Sequence, residues 1–317
     1  MSEESSTNSS EASVKGMSEA NKVSIGDTSK ASVAGIILVT SCHKYLHTRL
    51  QELNLKATYG DWKVICVIGD LFLDCDYRLE GNLLRIKCED AYIYNLKKFV
   101  LSLKYLYEMF DIAEGVLRSN DDLVFNEKLL VGFLEMPKKL VINPDAGTEI
   151  DIDFLGRSSI GHSLINYPFV CEPHRSGVNR HLVNYYETHQ EDFDNPLHNI
   201  KGVDVLKYSV MPHIPAFLHG PLIYFSNKSC KILINHLEEI NYDIYHYHEK
   251  SNSYPYTIDD LTYPLILLSN NINLLHTNNW HKELESSPAH TSQFAYDICG
   301  NFENSPECIA FHTNKYK

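Results

Sequence analysis

The run Ala34-Gly35-Ile36-Ile37-Leu38-Val39-Thr40 is apolar at every place until its last residue. A strand with one face in water alternates apolar and polar residues; a strand covered on both faces does not. The run therefore fits a buried strand of a parallel sheet, and a chain that owns one must supply helices for both faces. The residues that follow have that pattern. Residues 44–55 place Tyr45, Leu46, Leu50 and Leu53 at helix-like spacing. Residues 62–70 predict a second strand ending at Asp70, and residues 82–88 a third. Residues 92–109 carry apolar side chains at 96, 99, 100, 103, 106 and 109, the stripe of an amphipathic helix. Residues 115–119 predict a fourth strand, and helices are expected over 228–239 and after Asp259-Asp260. This alternation predicts an α/β fold: a Rossmann-like, mostly parallel central sheet flanked by helices.

Composition sets the class of partner. Hydrophobic residues make up 44% and charged residues 22% of the 317, which excludes a wholly disordered or collagen-like chain. Lys and Arg number 28 against 41 Asp and Glu, a formal charge of -13. That balance argues against duplex nucleic acid or an anionic membrane as partner, while leaving room for a local basic pocket around one diphosphate. Residues 1–32 are rich in Ser, Glu, Asn and Thr and predict a disordered tail. The folded domain is expected over 33–317, with 143–205 as polar insertions over the cleft. No apolar run approaches the roughly 20 residues needed to span a bilayer, and no basic-then-apolar leader opens the sequence. The 8 cysteines include no CxxC pair, which disfavours a zinc ribbon. Free thiols and a cytoplasmic location are the expectation.

In open α/β sheets, ligands sit outside the carboxyl ends of the strands. Three polar clusters fall at such ends: Thr40-Ser41, Asp70 and Asn120-Asp121-Asp122. The last carries the strongest signal. Mg²⁺ and Mn²⁺ take oxygen ligands and need few protein carboxylates when a diphosphate supplies the rest. The same residues also suit a turn that caps a helix from Asn126 onward. Asp259-Asp260 opens an apolar helical segment, so one acid can serve as the cap, and either acid suits a general base at a cleft wall. Near the end, Phe311-His312 with Lys315 three residues on offers an imidazole for a metal and an ammonium for a phosphate; a solvated terminus reads the same way. Tyr242, Tyr245, His246, Tyr247 and His248 form a patch suited to a sugar or to a surface loop. The sequence has no GxGxxG, GxxxxGK[ST], HExxH or GxSxG, which removes the usual dinucleotide, P-loop, zincin and hydrolase-elbow signatures.

Taken in order, these segments resemble the β1,3-glycosyltransferase superfamily, which includes galactosyltransferases, N-acetylglucosaminyltransferases and Fringe and has the GT-A fold. Val39-Thr40-Ser41 followed by Arg49 is similar to the family's opening strand and basic nucleotide contact. Asp90, Tyr92 and Lys98 resemble its acidic–Tyr–Lys helix entry. Asn120-Asp121-Asp122-Leu123 resembles its Asp-Asp-Asp-Val metal motif, with Asn120 in place of the first acid. Pro215-Ala216-Phe217-Leu218-His219-Gly220, followed by Ile223 to Ser226, is similar to its Pro-aromatic-x-x-Gly segment. Asp259-Asp260-Leu261 resembles its Glu/Asp-Asp-Val motif, and Phe311-His312 its final Val-His. The resemblance implies Asp122 and His312 as metal ligands, with His276 as the competing ligand by its similar context. It implies Asp260, with Asp259 beside it, as the catalytic acid pair and Asp260 as the base. It places Thr40, Ser41, Arg49, Asp70, Lys98, Asn120, Asp121, Gly220 and Lys315 around the donor.

The implied activity is metal-dependent and inverting. A hexose would pass from a UDP-sugar to a hydroxyl of a glycan or glycoprotein acceptor, with Mn²⁺ or Mg²⁺ as cofactor. Residues 33–126 would form the nucleotide-binding half and 127–317 the acceptor-binding half. Members are usually anchored in the Golgi; a soluble sequence points to a cytosolic or virus-encoded relative, acting in the cytoplasm, a host cytoplasm or a virion. Two other classes remain open from the residues: a non-catalytic sugar- or protein-binding module of the same fold, and a two-carboxylate glycoside hydrolase using Asp121 or Asp122 with Asp260.

Overall fold

The computed structural model describes residues 30–143, 145–168, 173–175, 187–192, 194–199, 210–212, 214–237, 259–283 and 308–312. The expected tail, save its last three residues, lies outside these, as do the Tyr242–His248 patch and Lys315.

The apolar run is the sheet's central strand, β1 (Ala31–Thr40), which begins ahead of the expected Val33. Its alternate side chains enter two separate cores: Ile36 and Leu38 face one, Ile37 and Val39 the other. On one side β1 pairs in parallel with β3 (Trp62–Gly69), which carries the short antiparallel β2 (Thr58–Tyr59). Next come β5 (Leu83–Ile86), parallel to β3, and β4 (Tyr77–Glu80), antiparallel to β5. On the other side β1 pairs in parallel with β6 (Phe110–Asn120). Beyond β6 lie β13 (Leu218–Ser226), antiparallel to it, then β10 (Phe154–Ser158) and β14 (Leu275–His276). Among the described residues this is a nine-stranded sheet. β1, β3, β5, β6, β10 and β14 run one way, which is the mostly parallel architecture expected.

Four helices among the described residues cover the sheet. α1 (Asn95–Met109), α3 (Asn227–Asn235) and α4 (Asp259–Ser269) close one core through Leu96, Phe99, Leu103, Cys230, Leu233 and Tyr263. α2 (Glu127–Glu135) closes the other with Leu130, Phe133 and Leu134. The small elements are β7 (Leu123–Phe125), joined to β16 (Ala310–His312) and β15 (His281–Glu283), and the pairs β8 (Lys139–Asn143) with β9 (Thr148–Asp151) and β11 (Pro173–Arg175) with β12 (Val210–Pro212). Asn126 caps α2 by accepting from the Leu129 N–H at 3.3 Å. Asp121 and Asp122 are therefore not the caps that a plain turn would make them. Gly115 has φ +153°, and a Cβ there would stand 2.1 Å from the Phe225 carbonyl oxygen. Only glycine lets β13 approach β6 at that point.

One element departs from expectation. Residues 44–55 form no α-helix; the segment holds two 3₁₀ turns, His43–Tyr45 and Arg49–Glu52. Neither turn has a side-chain cap. Arg49 points inward, its guanidinium 3.5 Å from the centre of the Tyr45 ring. The demand of that buried cation for partners outweighs a short, weakly amphipathic pattern.

The topology fixes where a ligand can sit. From β1 the chain builds outward through β3 and β5, then returns to β6 on the opposite side of β1. The carboxyl ends of β1 and β6 are thus neighbours, Thr40 opposite Asn120, and connections leave them in opposite directions. A crevice opens at such a switch point. Among the described residues no helix is long and apolar enough to cross a membrane, and Cys42, Cys66, Cys75, Cys88, Cys230 and Cys308 are free thiols.

Phe133 stands edge-on to Trp280 at 4.9 Å and to Tyr224 at 5.5 Å, joining α2 to the sheet and to the segment before β15. Phe133→Ala is expected to cost about 3–5 kcal/mol of unfolding free energy, read by urea denaturation.

Candidate active site

A cavity of about 450 Å³ occupies the switch point. Thr40, Ser41, Arg49, Lys98, Asn120, Asp121, Asp122, Gly220, Asp259 and Asp260 all line it. Residues from the first and second halves of the sequence thus share one space.

At the ends of β1 and β6, Asp121 is held from two sides. The Ser41 hydroxyl donates to its Oδ2 at 2.6 Å, and Arg49 Nη1 donates to its Oδ1 at 3.2 Å. The same guanidinium nitrogen stands 3.9 Å from Asp122 Oδ2. Burial raises the Asp121 pKa, and the neighbouring Asp122 adds to the rise against Ser41 and Arg49. The C-terminal strand comes alongside. β16 pairs antiparallel with β7, His312 opposite Leu123, so the His312 backbone is level with the residue that follows Asp122. His276, the competing ligand, is committed elsewhere. Its Nδ1 accepts from the Ser158 N–H at 2.8 Å and its Nε2 lies 2.9 Å from Asn278 Oδ1, which ties β10 to the segment after β14. It does not line the cavity.

The donor set suits a hard divalent cation. Two carboxylates face one guanidinium, leaving an excess of negative charge, and every carboxylate donor is oxygen. Among the described residues, no three His, Cys, Asp or Glu side chains are arranged to hold a metal on their own. The two carboxylates could hold only part of a cation's shell, and oxygens of a bound diphosphate would have to supply the rest.

The second corner is built on α4. Arg118, in β6, donates from Nη2 to Asp259 Oδ2 at 2.6 Å and from Nη1 to the Gly220 carbonyl. Asp259 Oδ1 also accepts from the Asp260 N–H at 3.1 Å, so both of its oxygens are engaged at the start of α4. Asp260 is placed differently. Its Oδ1 lies 2.3 Å from where a Cβ on Gly220 would stand, so a larger residue at 220 would displace the carboxylate. Burial, then the charge of Asp259, push the Asp260 pKa up to about 8, against Arg118 and a hydrogen bond from the Gly220 backbone. Adjacent carboxyls with divergent environments are the pattern of an acid–base site.

The third corner is a buried ion pair. Lys98 Nζ donates to Asp90 Oδ1 at 2.8 Å and to the Ser41 carbonyl at 2.5 Å. Lys98 lines the cavity, yet its charge is already balanced inside the protein. Asp70, expected beside the donor, is placed elsewhere: its carboxylate accepts from the Phe72 N–H at 3.2 Å in a turn after β3, and it does not line the cavity. Turn chemistry explains an Asp at that strand end.

Three groups carry more than the sequence suggested. Arg118 links both corners, and its only signal was a charge inside an otherwise apolar strand. Thr40 Oγ1 is buried at the cavity with no hydrogen-bond partner among the described residues. His198, also in the lining, belongs to a region legible only as polar insertion.

No protein-family model matches the chain, and no curated protein matches it. Among solved structures it is similar to mouse xyloside xylosyltransferase 1 in its apo form, with 10% identity over 90% of this chain and 99% of that one, at a TM-score of 0.33. A likeness so distant leaves the chemistry to the residues themselves.

The Asp260 shift has a consequence for stability. The folded state holds the Asp260 proton up to about pH 8, whereas the unfolded chain releases it near the ordinary value of 3.8. The group's contribution is complete at acid pH and is lost as pH rises through the folded value. Asp260→Asn is expected to melt higher than the parent at pH 7–8, by a few degrees, with the advantage vanishing toward pH 4. Thermal melts across that range read it.

Proposed function

We propose that this chain is a metal-dependent inverting glycosyltransferase that moves a hexose from a UDP-sugar to a hydroxyl of a glycan or glycoprotein. One observation carries the reading: a single cavity at the switch point holds an oxygen-donor acid pair at one corner and a half-buried carboxyl of raised pKa at another. The GT-A resemblance of the sequence, and a sheet whose strand ends converge on that cavity, agree with it.

Asp122, with His312 from the adjoining strand, would hold Mn²⁺ or Mg²⁺. The bound cation would offset charge on the departing diphosphate. Asp121, fixed by Ser41 and Arg49, faces the donor and orients it. Arg49 adds a fixed positive charge beside the phosphates. Asp260 accepts the proton of the acceptor hydroxyl as that oxygen bonds to the anomeric carbon. The sugar–phosphate bond breaks on the opposite face, and its electron pair leaves with UDP. The raised pKa makes Asp260 a stronger base than an ordinary carboxylate. Arg118 keeps Asp259 engaged, so the proton goes to Asp260. The free thiols of six buried or surface cysteines fit action in a reducing cytoplasm.

A binding module of the same fold is the second reading, favoured by Asn120 in place of the first acid. Turnover across a panel of UDP-sugars, with and without Mn²⁺, tests both. The transferase reading expects UDP release that requires Mn²⁺ and rises with pH between 6 and 8. It expects Asp122→Ala to lose Mn²⁺-dependent UDP binding. It expects Asp260→Asn to bind UDP normally and to lose about 10²–10⁴-fold in kcat. UDP binding without turnover on any donor would leave the module.

A further inference from the structure

His198 sits in the cavity wall at 3% exposure, and neither of its ring nitrogens has a hydrogen-bond partner among the described residues. Burying an imidazole in that state is costly. The ring is nevertheless held in place. Its segment, the described part of 187–199, is fastened to the loop after β1 and to the entry of α1. Lys44 Nζ donates to Glu191 Oε1 at 2.9 Å, and the Asp90 N–H donates to the Leu197 carbonyl at 3.0 Å. Asn195 Nδ2 meets His43 Nε2 at 3.0 Å. A positioned polar ring with idle nitrogens, facing a cavity, is arranged for something that enters the cavity.

Its place in the cavity says which part of a ligand it meets. Asp121, Asp122 and Arg49 mark the diphosphate corner, and Asp260 marks the anomeric carbon. The groups that stand against His198 belong to neither: Asp192 Oδ1 lies 3.8 Å from its Nδ1, and the His43 ring is edge-on to it at 5.5 Å. On the nucleotide-sugar reading, on which this inference rests, the remaining wall takes the nucleoside. Burial holds the His198 pKa below its ordinary value, His43 adding to the effect and Asp192 opposing it, so the ring is neutral at pH 7. A neutral imidazole has one N–H and one bare nitrogen. Asp192 Oδ1 faces Nδ1 at 3.8 Å, and a carboxylate only accepts. The contact is too long for a hydrogen bond, yet the carboxylate's charge favours an N–H on the Nδ1 side, which leaves Nε2 as the acceptor.

We infer that His198 selects the nucleobase, its Nε2 accepting from a ring N–H of the kind uracil carries at N3. Cytosine presents a bare nitrogen at that position, so two acceptors would face each other. A site built to pair with a donor rejects the analogue that lacks it.

The test measures binding of UDP, CDP and N3-methyl-UDP, each with Mn²⁺, to the full chain and to His198→Phe. Phenylalanine keeps the ring's bulk and removes no protein hydrogen bond, so this variant is expected to melt no lower than the parent. The parent is expected to bind UDP about ten-fold or more tighter than either analogue, the equivalent of one lost hydrogen bond. In His198→Phe the three affinities should converge, by loss of UDP affinity. A purely structural role for His198 leaves the UDP-to-CDP ratio unchanged. Equal affinities in the parent, or a preference that survives in His198→Phe, overturn the inference and leave the nucleotide reading intact. Binding of none of the three by the parent overturns the nucleotide reading, and the inference falls with it.

Discussion

Asp90 is the group on which the cavity's geometry depends. Its carboxylate accepts from the Gly69 N–H at 2.8 Å, the His43 N–H at 2.7 Å, His43 Nδ1 at 2.9 Å and Lys98 Nζ at 2.8 Å. Those donors come from the end of β3, the loop after β1 and the first turns of α1. Burial works against its charge, yet Lys98 and His43 together hold its pKa below the ordinary range. An ion pair so deep adds little net stability unless every lone pair and proton is used, and here the hydrogen bonds approach that condition. What it contributes is position. Lys98 also fixes the Ser41 carbonyl, and the Ser41 hydroxyl in turn fixes Asp121. The acid corner is thereby referred back to an interaction buried beneath it.

The two acid pairs manage charge in opposite ways. Asp121 and Asp122 share Arg49, which leaves an excess of negative charge facing the cavity. Asp259 takes the Arg118 guanidinium, and Asp260 is left with the Gly220 N–H and the repulsion of the Asp259 charge. The first arrangement attracts a cation. The second stores a proton affinity above that of a free carboxylate, at the expense of folding stability near neutral pH. Energetic concessions of this kind are usual where a group must change its protonation state in use.

Much of this was legible in the sequence, because the relevant signals are local. A strand covered on both faces has no alternation to disguise it, so β1, β3 and β6 stood out, and a 15-residue amphipathic stripe marked α1. Acids at strand ends and at a helix start declared Asp121, Asp122, Asp259 and Asp260 by position alone. What failed was set by contacts far apart in the chain. The 44–55 pattern lost to the pull of Asp121 on Arg49, and Asp70 proved to be turn chemistry. His276 proved to be a backbone clamp with both ring nitrogens engaged. Lys98, expected beside the donor, does line the cavity, but only its partner Asp90 reveals how its charge is balanced. His198 had no sequence signal, since one histidine among 16 is marked only by where the chain carries it.

Arg118 shows why the two corners are not independent. Side chains two apart on a strand share a face, so Arg118 and Asn120 lie on the same side of β6, and the acid pair follows at once. Three residues upstream of Asp121, the guanidinium reaches across to Asp259 and to the Gly220 carbonyl, on α4 and β13. The end of β6 is thus fastened at one point to the acid corner and at another to the base corner. Phe99 and Tyr263 stand 5.9 Å from the guanidinium carbon and keep that fastening dry. On the proposed reading, the spacing between the acid corner and Asp260 is thus tied to β6 through the Arg118–Asp259 pair, rather than left to loops alone. That suits a reaction in which a leaving group and an attacking oxygen must stay in line across one carbon.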